Sequence, residues 1–314
     1  VIRRTEQELI EERDVQNPNI DIGTYGIWTG ALDAQPSAVA GEAVAELEEL
    51  GFGAVWIPET VFREPFVHAS LLLGASQRIK VATGIVNRYG RDPLACNAAM
   101  QTLNEAFPGR FLLGLGVSHE HLVAWVRKHD YSKPYTGMVE YLDAMETARF
   151  FAPTGEPPAQ MVLAALGPRM LRLAAERTAG GHPYFVPPEH TAIARETMGP
   201  DALLAVEQMV VLDTDPATAR ATARQHMAAY LKAPNYTNNL ARLGYGPDEV
   251  TDGGSDRVVD AIVAWGSVDD ALARVQAHLD AGADHVCIQV LHPDMAHLPL
   301  PEWNELAGAL GLRA

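Results

Sequence analysis

Short apolar, β-rich runs alternate with longer helical patterns along almost the whole chain. The strand-like runs are Tyr25–Trp28, Ala54–Ile57, Lys80–Val86, Phe111–Gly116, Met161–Ala165, a weaker Gly181–Phe185, Leu203–Leu212 and Asp284–Leu291. Strands joined through helices must run parallel, because each crossover returns the chain in the same direction. Eight such units favour a closed (β/α)8 TIM barrel over an open sheet. A barrel of this kind takes about 250 residues, and the chain has 314.

Helix boundaries carry their own marks. Ala38–Leu50 is rich in Ala, Glu and Leu and is followed by Gly51. Asp92-Pro93 ahead of Leu94–Ala106 places a capping carboxylate and then proline at the first helical position. Gly167-Pro168 opens Arg169–Arg177 in a similar way, and Asp269–Ala281 ends at Gly282. One stretch breaks the rhythm. Between Leu212 and Asp284 lie about 70 residues, far more than a barrel crossover needs. Helical patterns at Asp215–Leu231, Tyr236–Leu243 and Asp256–Trp265 make residues 213–266 a helical insertion before the last strand, either a lid or dimer element or extra wall helices. Residues 1–20 read as a polar arm, rich in Glu and Asp, rather than a signal peptide. Residues 21–314 form a single domain.

Composition removes several classes. With 24 basic and 40 acidic residues the net charge is −16, which argues against nucleic acid and anionic membrane surfaces as partners. The two cysteines, Cys96 and Cys287, exclude a disulfide scaffold and fit a reducing cytoplasm. No apolar run is long enough to span a bilayer.

Barrel enzymes place their chemistry at the carboxyl ends of the strands. Residues in those places include Trp28, Glu59, Gly84 to Arg88, His119, Gly167-Pro168, His182, Tyr184 and His292. Glu59 follows an apolar strand and is either a ligand acceptor and proton carrier or a carboxylate that ties down a loop amide. His119, after Gly114-Leu115-Gly116-Val117-Ser118, has glycines nearby that permit close approach of a flat ligand, and an imidazole exchanges protons near neutral pH. His119-Glu120-His121 has the form of a metal pair, yet the first strand offers no further ligands, so no metal is expected. The helix start at Gly167-Pro168 suits an anion, with Arg169 beside it. Arg63, Arg88, Arg91, Lys128, Lys133 and Arg169 would give an acidic protein a positive mouth. Trp28, Tyr89 and Tyr184 are candidates for stacking on a planar ring.

Four segments, in order and spacing, carry a resemblance. They are Ala54-Val55-Trp56-Ile57-Pro58-Glu59; Val81-Ala82-Thr83-Gly84-Ile85-Val86-Asn87; Pro108-Gly109-Arg110-Phe111 through His119; and Leu166-Gly167-Pro168-Arg169-Met170-Leu171 with Ala174-Ala175-Glu176-Arg177. From about Tyr25 to Leu310 the chain resembles the luciferase-like flavin and deazaflavin enzymes, especially the actinobacterial branch that uses coenzyme F420. The resemblance implies a (β/α)8 barrel with the cofactor ring across its mouth and a bulge, often with a non-prolyl cis peptide, at Gly84-Ile85. It implies cofactor contacts from Glu59, Thr60, Thr83, Gly84, Ile85, Asn87, Gly116, Val117 and Ser118, with the phosphate at Ala165, Leu166, Gly167 and Pro168. It also implies a homodimer. Two positions depart from the family's sugar-phosphate dehydrogenases: Glu59-Thr60 replaces Asp-His, and His119 replaces a glutamate. A sugar phosphate is therefore not the expected substrate, and His119 and Glu59 are the catalytic candidates.

The resulting expectation is an F420-dependent oxidoreductase acting by hydride transfer on a small organic substrate. FMN in place of F420 would make a monooxygenase. A metal-dependent barrel hydrolase and a non-catalytic cofactor-binding barrel are the readings from other classes.

Overall fold

The computed structural model describes residues 21–294 and 296–312. The arm expected over residues 1–20 lies outside them. The described residues contain ten strands: β1 Tyr25–Trp28, β2 Ala54–Ile57, β3 Lys80–Thr83, β4 Val86–Asn87, β5 Phe111–Gly116, β6 Gln160–Leu163, β7 Gly180–Gly181, β8 Leu203–Val211, β9 Val263–Trp265 and β10 His285–Val290. All pairings are parallel, and the order β10-β1-β2-β3-β5-β6-β7-β8 closes through β8 and β10. This is the closed eight-stranded barrel expected of the alternation, with β3 and β4 together forming its third stave.

The outer helices are α1 Ser37–Glu49, α2 Pro65–Gly74, α3 Pro93–Ala106, α4 Pro134–Glu146, α5 Pro168–Arg177, α6 Pro188–Met198, α10 Val268–Asp280 and α11 Leu300–Ala309. Among the described residues, none is long and apolar enough to cross a membrane. The expected caps form. Asp92 Oδ1 accepts the Ala95 N–H at 3.0 Å ahead of Pro93, and Gly51 and Gly282 take φ of +91° and +100° at the helix ends.

Side chains alternate across the staves. Leu204, Val206 and Val210 of β8 face the helices, whereas Leu203 and Ala205 join Trp28, Ala54, Trp56, Ala82, Leu112, Val162 and Cys287 inside the barrel. Two histidines share that interior. Trp56 Nε1–H donates to His285 Nε2 at 3.0 Å, His285 Nδ1–H donates to the Gly23 carbonyl at 2.7 Å, and His182 stacks on the Trp56 ring at 4.2 Å.

Three expected elements differ. The run Lys80–Val86 is interrupted, because the chain kinks at a cis Gly84-Ile85 peptide and resumes as Val86–Asn87 against β5. The strand expected at Gly181–Phe185 is only Gly180–Gly181. Pro183 has no N–H to offer a ladder, and Phe185 turns away in a left-handed conformation, φ +61°. Finally, the pattern Asp256–Trp265 is not one helix. It splits into α9 Asp256–Ile262 and β9, which pairs with Met209–Val211 on the side of β8 that short β7 leaves open. The rest of the insertion is helical, α7 Pro216–Tyr230 and α8 Pro234–Arg242. It has its own core of Ala219, Ala223, Met227, Leu240, Val258 and Ile262, joined to Phe185, Met209 and Val211 from the barrel.

Candidate active site

A cavity of about 550 Å³ opens at the carboxyl ends of the strands, floored by barrel residues and roofed by α7 and α8. Its volume falls in the range usual for small-ligand sites. Gly84 and Ile85 form part of its wall. Gly84 is closely hemmed: a Cβ there would clash with Trp28 Nε1 and lie 3.0 Å from His182 Nε2.

Three buried polar atoms on cavity-lining residues lack a protein partner: Trp28 Nε1, His119 Nδ1 and His182 Nε2. Their protonation states follow from their other bonds. His182 Nδ1 is 2.9 Å from the Ala205 carbonyl, so Nδ1 carries the proton and Nε2 is a lone-pair acceptor. Burial pushes the His182 pKa down to about 4, so the ring is neutral at pH 7. Trp28 Nε1–H can only donate. Burial also lowers the His119 pKa, partly offset by the Asn235 side chain on α8. An Nε2–H donated to the Asn235 side-chain oxygen would leave Nδ1, buried without a protein partner, as the basic nitrogen. Ser118, in a left-handed conformation at φ +56°, turns the chain ahead of His119, and its carbonyl accepts the Tyr131 hydroxyl at 2.9 Å.

Glu59 lines the cavity too, but its carboxylate is fully engaged. It accepts Asn87 N–H at 2.6 Å, Arg91 at 2.9 and 3.1 Å and Arg127 at 3.0 Å, with its side chain 5% exposed. Of the two roles open in the sequence, the geometry provides the loop tie.

At the other end, α5 begins at Gly167 with no side-chain cap. The loop before it is held by His190, whose Nε2–H donates to the Leu166 carbonyl at 2.8 Å. The guanidinium of Arg242 from α8 lies 3.6 Å from the position a Cβ on Gly167 would take. Helix dipole and cation thus face the same point, a combination suited to an anion.

Of the expected site residues, Glu59, Thr60, Gly84, Ile85, Val117, Ser118, His119, Ala165, Leu166 and Gly167 surround the cavity. Four do not. Thr83 is fully buried and spends its hydroxyl on Gly114, donating to the carbonyl at 2.8 Å and accepting the N–H at 2.9 Å. The Asn87 side chain accepts Tyr89 N–H at 2.9 Å. Gly116 is small because a Cβ would lie 2.5 Å from Ile85 Cδ1, so it serves the neighbouring strand rather than a flat ligand. Pro168 is turned outward as the first residue of α5. His121 is exposed and does not join His119 at the cavity. Among the described residues no three His, Cys, Asp or Glu side chains are grouped to hold a metal ion.

The expected basic mouth is dispersed. Arg63 bonds the Asp33 and Gln35 carbonyls, Arg91 pairs with Glu59 and Glu64, and Arg88 and Arg169 lie over Tyr89 and Tyr135. The cation that lines the cavity is Arg242. It lies in the insertion, together with Tyr230, Asn235, Tyr236 and Asn238, and nothing in the local pattern of those helices marks them. Glu207 was also hidden in an apolar strand. It points into the barrel with Oε2 accepting Phe185 N–H at 3.1 Å and Oε1 unpartnered, and burial pushes its pKa up to about 8.

Comparison with known proteins agrees with this architecture. A Mycobacterium tuberculosis protein named as a coenzyme F420-dependent oxidoreductase is 27% identical over 277 residues, covering 72% of this chain and 80% of that protein. An F420-dependent secondary alcohol dehydrogenase, solved with an F420–acetone adduct, superposes with a TM-score of 0.71 at 13% identity, over 93% of this chain and 99% of that one. The oxygenating constituent of 3,6-diketocamphane monooxygenase from Pseudomonas putida, solved with FMN, gives a TM-score of 0.64 at 13% identity over 90% and 95% of the two chains. The family model for luciferase-like monooxygenases matches residues 24–285. The chain belongs to the luciferase-like monooxygenase family.

Proposed function

We propose that this protein is an oxidoreductase that uses the deazaflavin F420. The observation that carries the reading is the wall at Gly84-Ile85, where Trp28 Nε1 and His182 Nε2 lie beside Gly84, buried without protein partners on residues that line the cavity. A ring system with both donors and acceptors on its edge would satisfy them. The residues suited to hold it are Gly84, Ile85, Val117 and Ser118 along the ring, with Gly167 and Arg242 at its phosphate. FMN shares the ring and the phosphate. The deazaflavin is favoured because relatives are named for F420.

When bound, the deazaflavin supplies hydride exchange with an organic substrate. The protein supplies the rest. The roof from α7 and α8 excludes water. His119 Nδ1 takes the proton from a substrate hydroxyl on oxidation, or returns it on reduction, and Asn235 fixes the tautomer that makes this possible. Glu59 does not move a proton; it holds Asn87, Arg91 and Arg127 so that the Gly84-Ile85 wall keeps its shape.

His119→Ala tests the assignment. It is expected to lower turnover by about 100-fold or more, the usual scale for a lost general base, while F420 affinity stays within about threefold. Unchanged turnover contradicts the role.

A further inference from the structure

Above the ring wall the cavity is bounded by a continuous run of aromatic side chains. Trp28 and Tyr184 have ring centroids 5.1 Å apart, Tyr184 and Tyr230 5.3 Å, Tyr230 and Tyr236 5.4 Å, and Tyr236 and His119 5.3 Å. These residues come from four places: β1, the loop after β7, the insertion helices, and the loop after β5. They are braced rather than loose. The Tyr184 hydroxyl lies 2.9 Å from Gln289 Oε1 and 2.8 Å from the Tyr230 hydroxyl, so Tyr184 donates to Gln289 and accepts from Tyr230. One phenol therefore clamps α7 to β10 across the mouth.

Charge is almost absent from this surface. Among the described lining residues only Glu59 and Arg242 carry a fixed charge. Every oxygen of Glu59 is taken by Asn87, Arg91 and Arg127. Arg242 bonds Asn239 Oδ1 at 3.0 Å and faces the α5 start. Burial raises the phenol pKa values, that of Tyr230 to about 12, with those of Tyr184 and Tyr236 also well above the ordinary value, so the three hydroxyls are neutral at pH 7. An anionic substrate would find no spare cation here, and an ammonium no spare carboxylate. Desolvating either without a partner costs several kcal/mol. A flat, uncharged ring loses no such energy and gains face and edge contacts with the tyrosines.

We propose that the substrate of this site is an uncharged, ring-bearing alcohol or ketone, packed against the run Trp28, Tyr184, Tyr230 and Tyr236 with its single oxygen at His119 Nδ1. The name substrate rests on the oxidoreductase reading; the binding preference rests on the cavity alone.

Four probes separate the two. Acetophenone, benzoate, benzylamine and acetone are titrated calorimetrically into the protein, first without cofactor in phosphate buffer, which fills the anion site at Gly167 and Arg242, and then with F420 added. Acetophenone is expected to bind at least about tenfold more tightly than benzoate, benzylamine or acetone. Tyr236→Leu, or Tyr230→Leu should the first variant fail to fold, is expected to weaken acetophenone by about tenfold, while Tyr236→Phe, which keeps the ring, changes it by less than about threefold. Benzoate or benzylamine binding as well as acetophenone, acetone matching it, no measurable heat from acetophenone, or no effect of either leucine variant overturns the proposal. If the ring preference holds while F420 itself fails to bind, the cavity assignment stands and the deazaflavin reading falls.

Discussion

Glu59 Oε2 accepts the backbone N–H of Asn87 at 2.6 Å, tying the end of β2 to the third stave two residues beyond Ile85. The same carboxylate holds Arg91 and Arg127. Arg91 is itself mostly buried, its side chain 13% exposed. Removing the buried carboxylate leaves Arg91 with only the more exposed Glu64 as counter-charge and the Asn87 N–H without its acceptor. Glu59→Ala is therefore expected to lower folding stability by about 3 kcal/mol, read from urea unfolding midpoints. Glu59→Gln, which can still accept Asn87 N–H, is expected to lose less. Equal stability of all three proteins would show that the tie contributes nothing.

A methyl group at Gly84 would collide with Trp28 Nε1 and crowd His182 Nε2. Both are cavity-lining groups, so Gly84→Ala should displace the wall on which the ring rests. F420 affinity is expected to fall by about tenfold or more, on the order of the 1–3 kcal/mol cost of overpacking. The far-ultraviolet circular dichroism should be unchanged. Retained affinity would place the ring elsewhere.

Buried histidines set an acid limit. Burial pushes His182 and His285 down to about 4 and His278 to about 3, all from 6.5. Their folded pKa lies below the unfolded one, so in the window between about 4 and 6.5 the unfolded chain binds protons that the folded chain refuses. Stability from this source is complete above pH 6.5 and is lost as pH falls toward 4, at about 1.4 kcal/mol per pH unit for each histidine. Thermal midpoints should drop steeply between pH 6 and 4.5 (about 1.5 pH units), and a flat profile there would contradict neutral burial.

Glu207 acts in the opposite direction. Its folded pKa of about 8 lies above the 4.5 of a free carboxyl, so its contribution is complete below 4.5 and is lost as pH rises through 8. Glu207→Gln keeps an acceptor for Phe185 N–H and removes the ionisation. Relative to the parent, the variant should gain stability from pH about 5 to about 8 and level off above that. A constant difference across that range would mean that Glu207 does not titrate in it.

The barrel was legible because a parallel stave buried on both faces is written as an apolar run, and Ala54–Ile57 and Phe111–Gly116 fall on their predicted bounds. Short β7 was overestimated because the apolar run past Gly181 contains Pro183, and β9 was hidden because Val263–Trp265 continues the helical period of α9. Site residues at stave ends, such as His119 and Gly84, could be placed by the barrel rule alone. Tyr230, Tyr236 and Arg242 could not, since their position over the mouth depends on how the insertion core meets Phe185, Met209 and Val211. Thr83, Asn87 and Gly116 lay beside the site in sequence, yet strand pairing turned their polar or small groups to neighbouring backbone or the Ile85 side chain. For Glu207, a lone carboxylate within Leu203–Val211 was the available signal.

The most direct test of the deazaflavin assignment is a parallel titration of the cofactor-free protein with F420 and with FMN, followed by quenching of tryptophan fluorescence, with Trp28 in the cavity wall as the reporter. F420 is expected to give saturable quenching at micromolar or lower concentration, and FMN to bind at least about tenfold more weakly. FMN binding as tightly as F420 or more so, or no saturable quenching by F420, would contradict the assignment.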